Sequence, residues 1–191
     1  FLDQDQRLER AVALRDTTAR SLDSDAEMQI SGASLIDVHF QAQGDRSLLQ
    51  EMRTEGRSVI NLSAPKSKAT DTRAANKRLT ADSLKLIWRV TGRDLERAEA
   101  VGNAELFVDP VIKNAAADRK TLTAPRFDCD FYEAGNLART FTATGGAKAT
   151  IDPVQPVQAR STRTLTSQKM AAVFVKDTQD IDHLTAQGEA K

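Results

Sequence analysis

His39, His183, Cys129 and the acidic run Asp23, Asp25 and Glu27 are the side chains of this sequence best suited by type to bind a metal or act as a nucleophile. Their spacing argues against both roles. Neither histidine has a second His or Cys at the short intervals that tetrahedral metal sites use, and both fall on or beside the polar parity of a strand pattern. Cys129 stands alone, which excludes an internal disulfide and a multi-cysteine metal site. It also lies on an apolar parity, where a thiolate is disfavoured. The acidic run lacks the glycine and the distal glutamate of a calcium loop and reads as an exposed edge or turn. No Gly-x-Ser-x-Gly elbow, phosphate loop or His-Glu-x-x-His occurs. Asn61-Leu62-Ser63 has the form of a glycosylation acceptor, a three-residue pattern of little weight. The expectation is a protein that is not an enzyme and uses no cofactor and no metal.

Lysine plus arginine number 27, as do aspartate plus glutamate, so no overall field recruits nucleic acid or an anionic membrane. Charge is instead local. Lys66, Lys68, Arg73, Lys77 and Arg78 outnumber the one acid between them, Asp71, and two later stretches, one with Lys113, Arg119 and Lys120 and one with Arg160, Arg163 and Lys169, are also basic. These stretches read as linkers between repeated units. If the units stack, Lys66, Lys68, Arg73, Lys77, Arg78, Arg160 and Arg163 fall along one edge as a rim able to face phosphates. The plainer reading is solvated loops that keep the edge soluble.

The elements that carry these residues follow from an internal repeat. Leu79 to Pro110, Leu122 to Pro153 and Leu165 to Lys191 align without a gap at an interval of 43 residues, keeping Leu-Thr at the start and Gly102, Gly145 and Gly188 in register. The stretch from Ile30 to Pro65 is a further copy with extra residues around Gln43 to Leu48. Each copy has an apolar period of two, the signature of strands. Leu84, Leu86, Trp88 and Val90 alternate with polar residues, as do Phe127, Cys129 and Phe131, then Met170, Ala172 and Phe174. Turns at Thr91-Gly92-Arg93 and Ala134-Gly135-Asn136 reverse the chain.

The second arm of each hairpin has a small inward face, Ala98, Ala100, Gly102, Ala104 and Leu106 in one copy, Phe141, Ala143, Gly145 and Ala147 in the next. Its mid-strand glycine predicts a bulge or bend, and Asp-Pro predicts its end. Near the N-terminus, Leu8, Arg10, Val12 and Leu14 fit a strand better than the competing helical stripe. With 40% hydrophobic residues the 191-residue chain can bury a core. Its longest apolar runs are a few residues, against the roughly 20 of a membrane-spanning helix. The last copy stops one residue before the counterpart of Leu106 and Ala149, so a fragment of a longer chain is expected.

The pattern from Leu79 to Val108, a Leu-Thr-Ala-Asp start, an alternating arm, a turn and an Ala-x-Ala-x-Gly-Asn-Ala second arm, resembles the repeat of the OstA/LptA-like lipopolysaccharide-transport family. The resemblance covers Ile30 to Lys191. It implies an all-β fold, an open V-shaped β-jellyroll of stacked antiparallel hairpins forming one domain over residues 1–191. It implies a non-catalytic periplasmic conduit for lipopolysaccharide or a similar glycolipid, attached to either membrane only through segments outside this chain. Domains of that family dock edge to edge, with themselves or with other β-jellyroll transport components. The lipid A acyl chains would lie against Leu84, Leu86, Trp88, Ala98, Ala100, Leu106, Phe127, Phe131, Phe141, Ala143, Met170, Phe174 and Leu184. The alternative is a structural β-repeat scaffold whose core is filled, because large residues opposite small ones are also how ordinary sandwiches interdigitate.

Overall fold

The computed structural model describes residues 1–20, 27–155 and 160–190; Asp23 and Asp25 lie outside them. Among the described residues nine strands form one antiparallel sheet in chain order: β1 (Arg10–Arg20), β2 (Met28–Gln43), β3 (Arg46–Leu62), β4 (Ala75–Trp88), β5 (Leu95–Pro110), β6 (Asp118–Phe131), β7 (Ala138–Pro153), β8 (Arg163–Phe174) and β9 (Ile181–Gln187). The sheet is open, each strand pairs only with its sequence neighbours, and the fold is all-β, of the β-jellyroll kind. Among the described residues no helix is long and apolar enough to cross a membrane. A 3-10 turn (Lys66–Lys68) lies between β3 and β4.

The hairpins end where turn chemistry places them. Arg89, Tyr132 and Val175 hold equivalent positions in successive repeats, and each donates its backbone N–H across a turn, to the carbonyls of Asp94, Leu137 and Asp180. Gly92, Gly135 and Asn136 supply the positive φ those reversals need. β5 and β7 end at Pro110 and Pro153, as the Asp-Pro pairs predict.

Strands of 14 to 17 residues, β2 to β7, extend roughly 50 Å at 3.3 Å per residue, which is too long for one flat layer of a small protein. Each pairing from β3–β4 to β7–β8 instead shifts register midway, between Glu55 and Ser58, Thr80 and Ser83, Val101 and Ala104, Thr123 and Arg126, and Thr144 and Ala147. These aligned bulges divide the sheet into two arms. Paired residues share a face, so the register can be read as lines running across the sheet. On the arm nearer the hairpin turns, one line is Ala13, Ile36, Thr54, Leu84, Ala100, Phe127, Ala143, Met170 and Ala186. On the other arm, a line runs Ala19, Ile30, Ile60, Leu79, Leu106, Leu122, Ala149 and Leu165. Both lines belong to one apolar cluster, and the described chain has no second sheet to cover either. The arms therefore fold over and cover each other.

At the bend the inward residues are small and buried: Ala33, Ser58, Ala81, Ala104, Ala124, Ala147 and Ser167. Small side chains let the arms meet closely there. The buried hydroxyls are satisfied, since Ser58 donates to Thr54 Oγ1 at 2.8 Å and the N–H of Leu84 donates to the same oxygen at 3.0 Å.

Three details differ from the sequence reading. Val90 belongs to a turn and is 75% exposed, because the strand ends at Trp88. β1 is a strand, but Ala11 and Ala13 pair with the inward Val38 and Ile36, which turns Leu14 outward. Finally, β4, β6 and β8 begin at Ala75, Asp118 and Arg163, so Lys77, Arg78, Arg119, Lys120 and Arg163 are strand residues rather than linker residues.

Candidate functional site

The residues expected to line a lipid trough occupy three depths. Deepest is the line through Leu84, Ala100, Phe127, Ala143 and Met170, where Phe127 is 2% exposed and Ala143 0%. These side chains are covered beside the bend. One line further out come Val38, Met52, Leu86, Ala98, Cys129, Phe141, Ala172 and Leu184. Here Leu86 and Ala172 are buried, whereas Ala98, Cys129 and Phe141 are only partly so and Leu184 is 52% exposed. Phe141 reaches inward against Phe127, ring centroids 5.1 Å apart and tilted by 48°. Nearest the hairpin turns lie Trp88, buried, with Phe131 and Phe174, half-buried. On the opposite arm Leu106 sits with Leu79, Leu122, Ala149 and Leu165, all half-buried. The interior thus grades from filled at the bend to accessible at the mouth.

The two lips of the mouth approach each other. Lys77 on one arm and Cys129 on the other are close enough for each to feel the other's charge. Burial pushes the Cys129 thiol up to about 12, with Asp130 adding to the effect, and loss of hydration lowers the Lys77 ammonium from its ordinary range, helped by the like charge of Lys120. The two groups thus face each other across the space between the arms. At the edge, Arg73 in the β3–β4 connection lies 3.8 Å from Asp180 in the β8–β9 turn.

The proposed basic rim is largely neutralised. Arg73 is held by Asp71, which also accepts its backbone N–H. Arg160 and Arg163 share Asp118 at 2.7 and 3.2 Å. Arg78 points to the outer face, 3.8 Å from Glu105 and over the ring of Phe107. Lys66 and Lys68 are exposed on the 3-10 turn. The sequence left these pairings hidden because Asp118 and Asp180 lie far along the chain from the cations they meet.

His39 sits on the outer face 3.3 Å from Asp37, and His183 is exposed on β9. Among the described residues no three His, Cys, Asp or Glu side chains come together at metal-binding range. The outer face carries charge ladders. Arg126 bonds Asp128 at 2.7 Å and Glu99 at 2.9 Å, and Arg10 bonds Asp37 at 2.7 Å. Comparison with known proteins finds no matching family model, no matching curated protein and no matching solved structure.

Proposed function

We propose that this protein is a non-catalytic periplasmic carrier that shields the acyl chains of lipopolysaccharide, or of a similar glycolipid, between the two arms of its folded sheet. The observation that carries the reading is the gradient of the interior. Leu106, Leu122, Ala98 and Phe141 are inward, apolar and only partly covered, so their faces are left for a ligand to cover. An acyl chain laid along these lines would complete their burial, worth about 25 cal/mol per Å². The likeness of the repeat to OstA/LptA-like proteins points the same way. β1 and β9 each have one neighbour in the sheet, leaving ladder groups on which a second copy or another β-jellyroll component would dock.

The test is uptake of a photo-crosslinkable lipid A surrogate by the wild-type chain and by Ala98→Asp. A carboxylate at this half-buried position retains access to water at the mouth, so the fold should survive while the chain path becomes polar. Loss of crosslinking in a folded variant supports the conduit; undiminished crosslinking ends it. One observation favours a second reading, a β-repeat scaffold that assembles through its edges: the line through Phe127 and Ala143 is filled. A wild-type chain that takes up no lipid would establish that reading in its place.

A further inference from the structure

Lys77, Val108, Lys120, Ile151 and Arg163 are successive partners across β4 to β8 and form one continuous line on the inward face, just outside Leu79, Leu106, Leu122, Ala149 and Leu165. The cations are repeat-equivalent, each 43 residues from the last, and two strand spacings, roughly 10 Å, separate neighbouring ones. Their surroundings differ. Arg163 shares Asp118 with Arg160. Lys77 and Lys120 have no carboxylate within 4 Å among the described residues, and the groups bearing on Lys77 are Cys129 across the mouth and Lys120 beside it. Two like charges at the lip of an apolar gap have no acid on their own line, and Asp118, one line further out opposite Pro153, is already engaged by two arginines.

Resting on the conduit reading above, the geometry points to Lys77 and Lys120 as the anchor for the anionic head of an acyl amphiphile, a carboxylate or phosphate monoester whose chain runs inward over Leu106 and Leu122. Charge complementarity selects this occupant. A neutral lipid would leave both ammonium groups without a counter-ion beside an apolar surface, whereas one anion between them forms charge-assisted hydrogen bonds to both. The four-carbon stems of the lysines span the interval while covering apolar surface with their methylenes.

The experiment compares two probes with one chain and different heads, cis-parinaric acid and its methyl ester, by fluorescence on binding to the full 191-residue chain. The acid should bind roughly tenfold more tightly than the ester. In the Lys77→Gln/Lys120→Gln variant the acid should fall to the affinity of the ester while the ester is unchanged, and Lys77→Arg/Lys120→Arg should restore the difference. Dodecyl phosphate should displace the acid, and inorganic phosphate should not. Thermal melts of both variants, expected at the wild-type midpoint because the residues are exposed, exclude an effect through folding. Equal affinity of acid and ester for the wild type overturns the anchor and leaves the conduit standing. Displacement by inorganic phosphate alone overturns the lipid assignment in favour of a free-anion site. Failure of both probes to bind overturns anchor and conduit together.

Discussion

Asp82 occupies the space that Gly102 leaves empty: a Cβ on Gly102 would lie 2.5 Å from Asp82 Oδ2, while Asn103, the next residue, donates its side-chain amide to that oxygen at 2.7 Å. Gly102 has φ +80° and Asn103 φ +47°. The bulge that folds β5 over is therefore set by left-handed backbone and by a close approach only glycine allows.

Gly102→Ala should cost about 2 kcal/mol, combining left-handed strain with displacement of Asp82, or roughly 4–8 °C in Tm for a chain of this size. Adding Asp82→Ala should recover the steric part only, because φ stays positive, so the two substitutions should be non-additive in urea denaturation. Unchanged stability of Gly102→Ala would mean the bend is not held here.

Acid should weaken the fold through the outer ladder. Hydrogen bonds from Arg126 and Arg97 hold the Asp128 carboxyl below its usual range, and Arg10, with a smaller contribution from His39, does the same for Asp37. A depressed folded-state pKa contributes stability above the unfolded value, about 3.9, and loses it as pH falls through the folded value. The urea midpoint should be flat from about pH 7 to 5 and decline below about pH 4. Arg126→Gln should lower stability at neutral pH by less than about 1 kcal/mol, since the pair is partly exposed, and the difference from wild type should shrink as pH falls below about 4.

Cys129 should be inert in the native state. With its thiol pushed up to about 12 by burial, the reactive thiolate is scarce at pH 8. A thiol reagent at that pH should react slowly with the folded protein and fully once urea unfolds the chain. Immediate stoichiometric labelling of the folded protein would contradict a raised thiol pKa at Cys129.

Much of this architecture was legible in the sequence because strand parity and a fixed interval are local signals. Leu84, Phe127 and Met170 share one line, as their common phase within the repeat requires, and the mid-strand glycines mark the bulges. Strand starts were less legible. Lys77 and Lys120 carry charge and precede the Leu-Thr signal, so a hydropathy pattern assigns them to linkers, while backbone pairing with Val108 extends the strand through them. At β1 the strand reading holds, and the register turns Val12 and Leu14 outward and the small Ala11 and Ala13 inward. An edge strand has little to bury, so its hydrophobic pattern is weak evidence of face.

The free ladder of β9 should associate. Ile181 and Leu184 are about half exposed at the end of the sheet, and Leu184 stands at the end of an inward apolar line. Sedimentation should show a dimer fraction that rises with protein concentration. Leu184→Lys, which places a charge on the edge, should shift the equilibrium to monomer without lowering Tm. A wild type that stays monomeric at millimolar concentration would refute docking through this edge.

The contrast between filled and accessible depths can be measured with one substitution at two positions. Ala143 lies between Phe127 and Met170 on the deepest line and is 0% exposed; Ala98 lies one line further out, opposite Cys129, and is half-buried. Aspartate at 143 must displace packed side chains and lose its hydration with no cation beside it in that line, which costs at least several kcal/mol. Such a carboxyl takes up a proton more readily than an unfolded one, so its folded-state pKa is raised. Ala143→Asp should therefore be least destabilised at low pH and progressively worse as pH rises through the unfolded value near 4. Ala98→Asp should lose about 1 kcal/mol or less, because its carboxylate reaches water at the mouth. Urea unfolding of both variants at pH 4 and pH 7 reads the difference directly. Equal losses at the two positions would mean that the interior has one uniform depth, and an Ala143→Asp variant as stable as wild type would mean that the line through Phe127 is open rather than filled.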